Sequence, residues 1–288
     1  MGRSLRARLA PYGLILPGGL WLLVFFVVPM AAMVSLSLTE GDVVSGFSQT
    51  FHFQTYVDAF HNYQSQIYRS LWYGLITTVV QIIVAFPVAY WIAFRGGVRK
   101  STYLFLLLLP FFVSFVLRTI SWKFILTDDG LLLTPLKAWN VVPDNFHIIG
   151  TAPAVILGLT YNFLPFMVLP IYVALERIDP RVVEAARDLY ASPVAVFRKV
   201  IFPLALPGVF AGVLMTFVPT SSDYVNAEVL GSSSTTMIGQ VIQAQYLRSQ
   251  NYPTASALSF SLMAILLVGI FIYARILGTE DVLKVAAR

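Results

Sequence analysis

Six apolar stretches, each about as long as a bilayer-spanning helix, constrain this chain more than any other feature of its sequence. They run approximately from Leu14 to Leu38, Leu71 to Phe94, Tyr103 to Leu126, Ala152 to Leu175, Leu204 to Leu230 and Ser256 to Leu277. Roughly 20 apolar residues carry a helix across the hydrocarbon, where the backbone must satisfy its own hydrogen bonds. With 58% hydrophobic and 11% charged residues over 288 positions, too little polar surface remains to solvate so much apolar surface. The sequence predicts an all-α integral membrane protein with six transmembrane helices, forming one transmembrane domain over residues 1–288.

The formal charge of +5 is a topology signal rather than a sign of nucleic-acid binding. Outside the third stretch, fourteen Lys and Arg residues fall at the two ends, in the second loop and in the fourth, whereas only Arg69, Lys137 and Arg248 occupy the other loops. The positive-inside rule places both termini and the fourth loop in the cytoplasm. Arg3, Arg6 and Arg8 imitate the basic region of a signal peptide, but the apolar run that follows is too long for one and reads as an uncleaved first span. No cysteine is present, which excludes disulfides and thiol chemistry, and His52, His61 and His147 have no ligand spacing. Prolines at 29, 87, 110, 165, 170 and 219 predict a bundle that bends, and Gly231 to Thr236 reads as a flexible turn.

The fourth loop, about residues 176–204, is a charged island. Asp179 before Pro180 and Ser192 before Pro193 have the chemistry of two helix N-caps, so the loop reads as two short helices with a turn near Tyr190. On the first helix, spacing puts Val182, Ala186 and Leu189 on one side and Arg181, Glu184, Arg187 and Asp188 on the other. On the second, Val196, Phe197, Val200 and Ile201 oppose Arg198 and Lys199. Such a loop either lies on lipid headgroups or docks onto a partner.

Glu184-Ala185-Ala186, a short turn, and Val200-Ile201-Phe202-Pro203 resemble the EAA loop of ABC importer permeases. The family pattern carries glycine where this chain has Tyr190 and commonly leucine where it has Phe202. The resemblance implies a cytoplasmic coupling-helix loop between spans four and five, docked into a groove of a partner ATPase, with Glu184, Ala185, Ala186, Arg187, Asp188 and Tyr190 as the coupling residues. Small Ala185 and Ala186 would let a partner approach the helix backbone.

Two polar anomalies interrupt the spans. Leu204 to Val218 covers only about 22 Å at the helical rise, so the polar run from Pro219 to Glu228, with Asp223, Tyr224 and Glu228, either completes the crossing along a wet path or already lies in the outer interface. Within the third span, Arg118 needs a carboxylate, for which Asp223 and Glu228 are both candidates. Arg118 and Trp122 share a helix face that permits a cation–π contact, although Trp122 equally suits an interfacial anchor.

Leu109-Pro110-Phe111-Phe112 with Arg118-Thr119 and Trp122, and Phe217 to Pro219 with Asp223, Leu230-Gly231 and Met237-Ile238-Gly239, look like spermidine/putrescine permeases. Parts of these runs occur also in permeases for iron, opines and related solutes. A polycation wants carboxylates and aromatic faces, for which Asp223, Glu228, Tyr224, Tyr161 and Trp122 are the candidates, with Arg118 beside them on the path.

The chain has no G-x-x-x-x-G-K-[ST] loop to cradle phosphates, so an importer built on it borrows its ATPase; ATP and Mg bind to partners, and this chain is expected to carry no cofactor and no catalytic site. The resemblance implies a second homologous permease subunit, two ATPase subunits and an extracytoplasmic substrate-binding protein in a bacterial inner membrane. A stand-alone carrier or an intramembrane enzyme is the rival reading, against which the absence of H-E-x-x-H and G-x-S-x-G counts.

Overall fold

The structure, a computed structural model, describes residues 16–276. Arg3, Arg6, Arg8, Lys284 and Arg288, and with them the expected placement of both termini, lie outside the described residues. Five described helices are long and apolar enough to cross a membrane, and a bent pair makes up to six. In chain order the long ones are α1 (Leu16–Ser37) and α2 (Gln54–Arg95), then the bent pair α3 (Lys100–Leu108) and α4 (Phe115–Leu126). The short α5 (Leu133–Ala138) precedes α6 (Ala152–Glu176), and α7 (Pro180–Asp188) precedes α8 (Pro193–Ser222). After these come α9 (Val225–Leu230), α10 (Ile238–Leu247) and α11 (Tyr252–Ile276).

Contacts divide the described residues into two compact units, one comprising 16–63 and 242–263, the other 64–241 and 264–276. In the first unit, strands β1 (Thr39–Asp42) and β2 (Gly46–Gln49) form an antiparallel hairpin, which the helical reading of the sequence did not include. Asp42 Oδ1 accepts the N–H groups of Val44 and Ser45 and closes its turn; these bonds, the Ser45 backbone bond first, hold the Asp42 carboxyl below its usual range. Ser37 and Tyr56 share a 2.7 Å hydroxyl bond, and Glu40 pairs with His52. The apolar face of α1 is wholly exposed, as lipid contact requires.

In the second unit, α6 and α8 cross closely because Gly208 and Gly212, four apart, present no side chain. A Cβ on Gly208 would stand 2.5 Å from the Pro170 carbonyl oxygen, and one on Gly212 would stand 2.6 Å from Met167 Sδ. One core gathers Phe86, Ala89 and Ile92 of α2, Met167, Ile171 and Leu175 of α6, and Ala205 and Val209 of α8. Further core gathers at the other end of α6, where Leu126, Ala154 and Leu230 pack together.

Three expectations are corrected. The third span is not one helix: α3 gives way to a tight turn over Leu109–Phe112, Val113 is extended (φ −91°, ψ 140°), and the chain bends by 90° before α4. Pro110 explains the break, since it offers no N–H to the helical ladder and its ring crowds the preceding turn. The fifth helix does not end at Val218: α8 runs from the second loop helix, through a widened turn at Phe197–Ile201, to Ser222, so that Pro219–Ser222 of the polar run are helical. Gly231 to Thr236 is ordered rather than a flexible turn, since Ser232 and Thr235 cap one another reciprocally.

Candidate functional site

The charged loop folds as its capping residues dictate. The Asp179 carboxylate accepts the Arg181 N–H at 2.9 Å with Pro180 in the first helical position, and Ser192 Oγ accepts the Ala195 N–H at 3.3 Å. Between the helices, Ala191 N–H donates to the Ala186 carbonyl and Tyr190 N–H to that of Arg187, the paired bonds of a Schellman ending. Tyr190 takes the left-handed position in it, with φ +57° and 98% of its surface exposed. This is the place where the family pattern carries glycine, so the turn geometry is kept at a steric cost.

The packing face of α7 differs from the one expected. Val183 is buried and Ala186 half-buried in the core that includes Val196 and Ile201 at the start of α8, while Val182 and Leu189 are exposed, Leu189 at 82%. The core reached by Val183 decides the rotation of a helix too short to be held by its own periodicity. Glu184, Ala185, Arg187, Asp188 and Tyr190 stand exposed with Val182 and Leu189, a mixed charged and apolar surface. Just before the loop, Lys100 and Glu176 pair at 3.1 Å and tie the start of α3 to the end of α6.

The polar interior of the bundle centres on three side chains from three helices. Asn162 of α6 donates to Thr119 Oγ1 of α4 and to Asn226 Oδ1 of α9, both at 3.0 Å, and all three residues are buried. Gln81 of α2 donates to the Leu159 and Thr160 carbonyls of α6 at 3.3 Å.

Of the proposed path residues, Trp122 and Tyr161 come together, edge to face with centroids 5.2 Å apart, and line a cleft of about 500 Å³ with Val80, Leu157, Thr160 and Leu164. Asp223, Tyr224 and Glu228 are not in that cleft. Asp223 accepts the Asn226 N–H at 2.7 Å and so holds the start of α9, Glu228 accepts from Gln240 at 2.9 Å, and Tyr224 is exposed. The expected ion pair is absent: among the described residues no carboxylate pairs with Arg118. Its guanidinium packs on Phe111 and Phe115 instead of Trp122, because the bend before α4 brings Phe111 back over it.

Residues 65–278 match the family described as binding-protein-dependent transport system inner membrane component. The chain belongs to this family. The permease is 32% identical over 256 residues to the spermidine/putrescine transport system permease protein PotB of Haemophilus influenzae, covering 88% of this chain and 90% of that one. PotB of Escherichia coli is 31% identical over the same length, covering 88% and 93%, and the inner membrane ABC transporter permease protein YdcU of that organism is 32% identical over 231 residues, covering 75% and 72%. A bacterial ABC transporter chain involved in import of the acidic polysaccharide alginate shares the fold at TM-score 0.71 and 18% identity, covering 94% of this permease and 96% of that chain.

The permease is thus a multi-pass inner-membrane subunit of a bacterial ABC importer. It is not itself an enzyme and carries no cofactor; it works with ATPase subunits and a periplasmic binding protein. The Asn162 cluster escaped the reading of the permease's sequence, although an asparagine in so apolar a span is costly against lipid and was itself the signal.

Proposed function

We propose that this permease moves polyamine cations of the spermidine/putrescine class into the cytoplasm by alternating access, paired with a second homologous permease subunit and driven by two ATPase subunits. The observation that carries this reading is the pair of spermidine/putrescine PotB relatives, each matched over 88% of the chain. The chemistry agrees: Trp122 and Tyr161 offer adjoining aromatic faces, while Asp223, Tyr224 and Glu228 offer carboxylates and an exposed ring at the far end of α8. Arg118, with Lys123 further along α4, is a charge that opposes a polycation. The exposed surface of α7, with Glu184 and Ala185, is the side that meets the ATPase in this reading, and the basic residues concentrated in this loop and at the two ends support a cytoplasmic side for them.

The test is ATP-driven uptake of labelled spermidine and putrescine by vesicles holding the permease with an ATPase, a second permease and a binding protein that co-purify with it. Saturable uptake of either amine that unlabelled iron or opine does not compete is the expected result. An assembled, ATP-hydrolysing complex that moves neither amine would reject the substrate and leave the family membership untouched.

A further inference from the structure

Arg118 stands one turn into α4, and its guanidinium folds back over the start of that helix, with Cζ 4.6 Å from the Phe111 ring centroid and 5.8 Å from that of Phe115. Long helical side chains lean toward the N-terminus, so the charge is carried to the bend where α4 begins. That beginning is uncapped. Ser114, in the N-cap position, makes no side-chain bond to the helix, which leaves the first-turn amides of Phe115, Val116 and Leu117 without an intrahelical acceptor.

A fixed cation therefore rests against the positive end of a 12-residue helix, within a largely apolar run. Arg118 is only 8% exposed, and its Nε is buried with no hydrogen-bond partner. Two positive features at one point repel each other unless they share a negative group.

We propose that the bend between α3 and α4 is an oxyanion site, in which Arg118 and the open amides of α4 together receive one phosphate or carboxylate group. A guanidinium presents donors in a planar fork suited to either oxyanion, and an uncapped helix start adds backbone N–H groups aimed the same way. The rings of Phe111 and Phe115 hold the guanidinium plane in place. The oxyanion comes from an anionic lipid headgroup or from a small anion in water, and the same donors serve both. This site stands whatever solute the permease carries.

The experiment is the thermal unfolding midpoint of the full-length chain in phosphatidylcholine nanodiscs, compared in two arms: nanodiscs containing phosphatidylglycerol, and addition of inorganic phosphate or succinate. The expected result is a rise of several degrees in one arm, the lipid arm marking a headgroup and the other a soluble anion. Arg118→Gln should abolish the rise and Arg118→Lys should keep part of it. Ser114→Asp supplies a carboxylate at the N-cap; it should raise the midpoint in plain phosphatidylcholine and remove the response to both anions, a result that does not depend on Arg118→Gln folding. An equal rise in Arg118→Gln, or an unchanged response in Ser114→Asp, would overturn the site. So would no rise in either arm for the wild-type chain, which would leave the counter-charge to a carboxylate of a second subunit.

Discussion

Gly74 of α2 and Ser221 near the end of α8 meet almost backbone to backbone. A Cβ on Gly74 would overlap Ser221 Oγ and stand 3.3 Å from Ser221 Cα. Gly74→Ala should therefore destabilise the permease by about 1–3 kcal/mol, since the helices must part or the hydroxyl must move. Ser221→Gly in the same chain should recover most of that loss. Unfolding midpoints of the two single variants and the double decide it, and additive losses would show that the two residues are not in contact.

The Asn162 cluster makes a second prediction. Asn162→Ala and Asn226→Ala each remove a buried bond and should cost about 0.6–2 kcal/mol, as interhelical hydrogen bonds in membranes do. The double variant should cost less than the sum, because the second deletion removes a partner already orphaned. A double-mutant cycle in detergent or nanodiscs measures the coupling.

Arg118 and Asp223 do not pair, and transport should reflect that. If both lie on the path, Arg118→Gln and Asp223→Asn each change polyamine uptake on their own terms, and the double variant shows the product of the two effects. Rescue of Asp223→Asn by Arg118→Gln, measured in vesicles with assembly checked, would mean that an ion pair forms in another conformation.

Glu184 lies on the exposed side of α7 beside Val182 and Leu189. Glu184→Lys should leave folding within about 0.5 kcal/mol of wild type, as exposed substitutions usually do, yet lower ATP-driven uptake at least tenfold by meeting the ATPase with the wrong charge. Normal uptake by the assembled variant would make the loop a mere connector.

Tyr190 pays for a left-handed backbone. An L-residue there costs roughly 1–2 kcal/mol, of which glycine would return about half after its greater unfolded freedom is counted. Tyr190→Gly should raise the unfolding midpoint slightly and Tyr190→Val should lower it, a sign difference that thermal unfolding of the two variants reads directly.

The features legible in the sequence were those governed by neighbours along the chain. Asp179 and Ser192 announced the two loop helices, because a capping bond joins residues two or three apart. The long apolar runs announced the spans, because bilayer thickness sets their length. Tertiary structure decided the rest. The side of α7 that packs was chosen by a core it shares with the start of α8, and the partners of Asn162 come from helices 43 and 64 residues away in sequence. Arg118 shows the difference most clearly: its charge and its apolar setting were readable, but the 90° bend that folds it over Phe111 and away from any carboxylate was not. Local spacing fixes which residues share a helix face, whereas what that face meets depends on crossings and breaks that only the packed bundle determines.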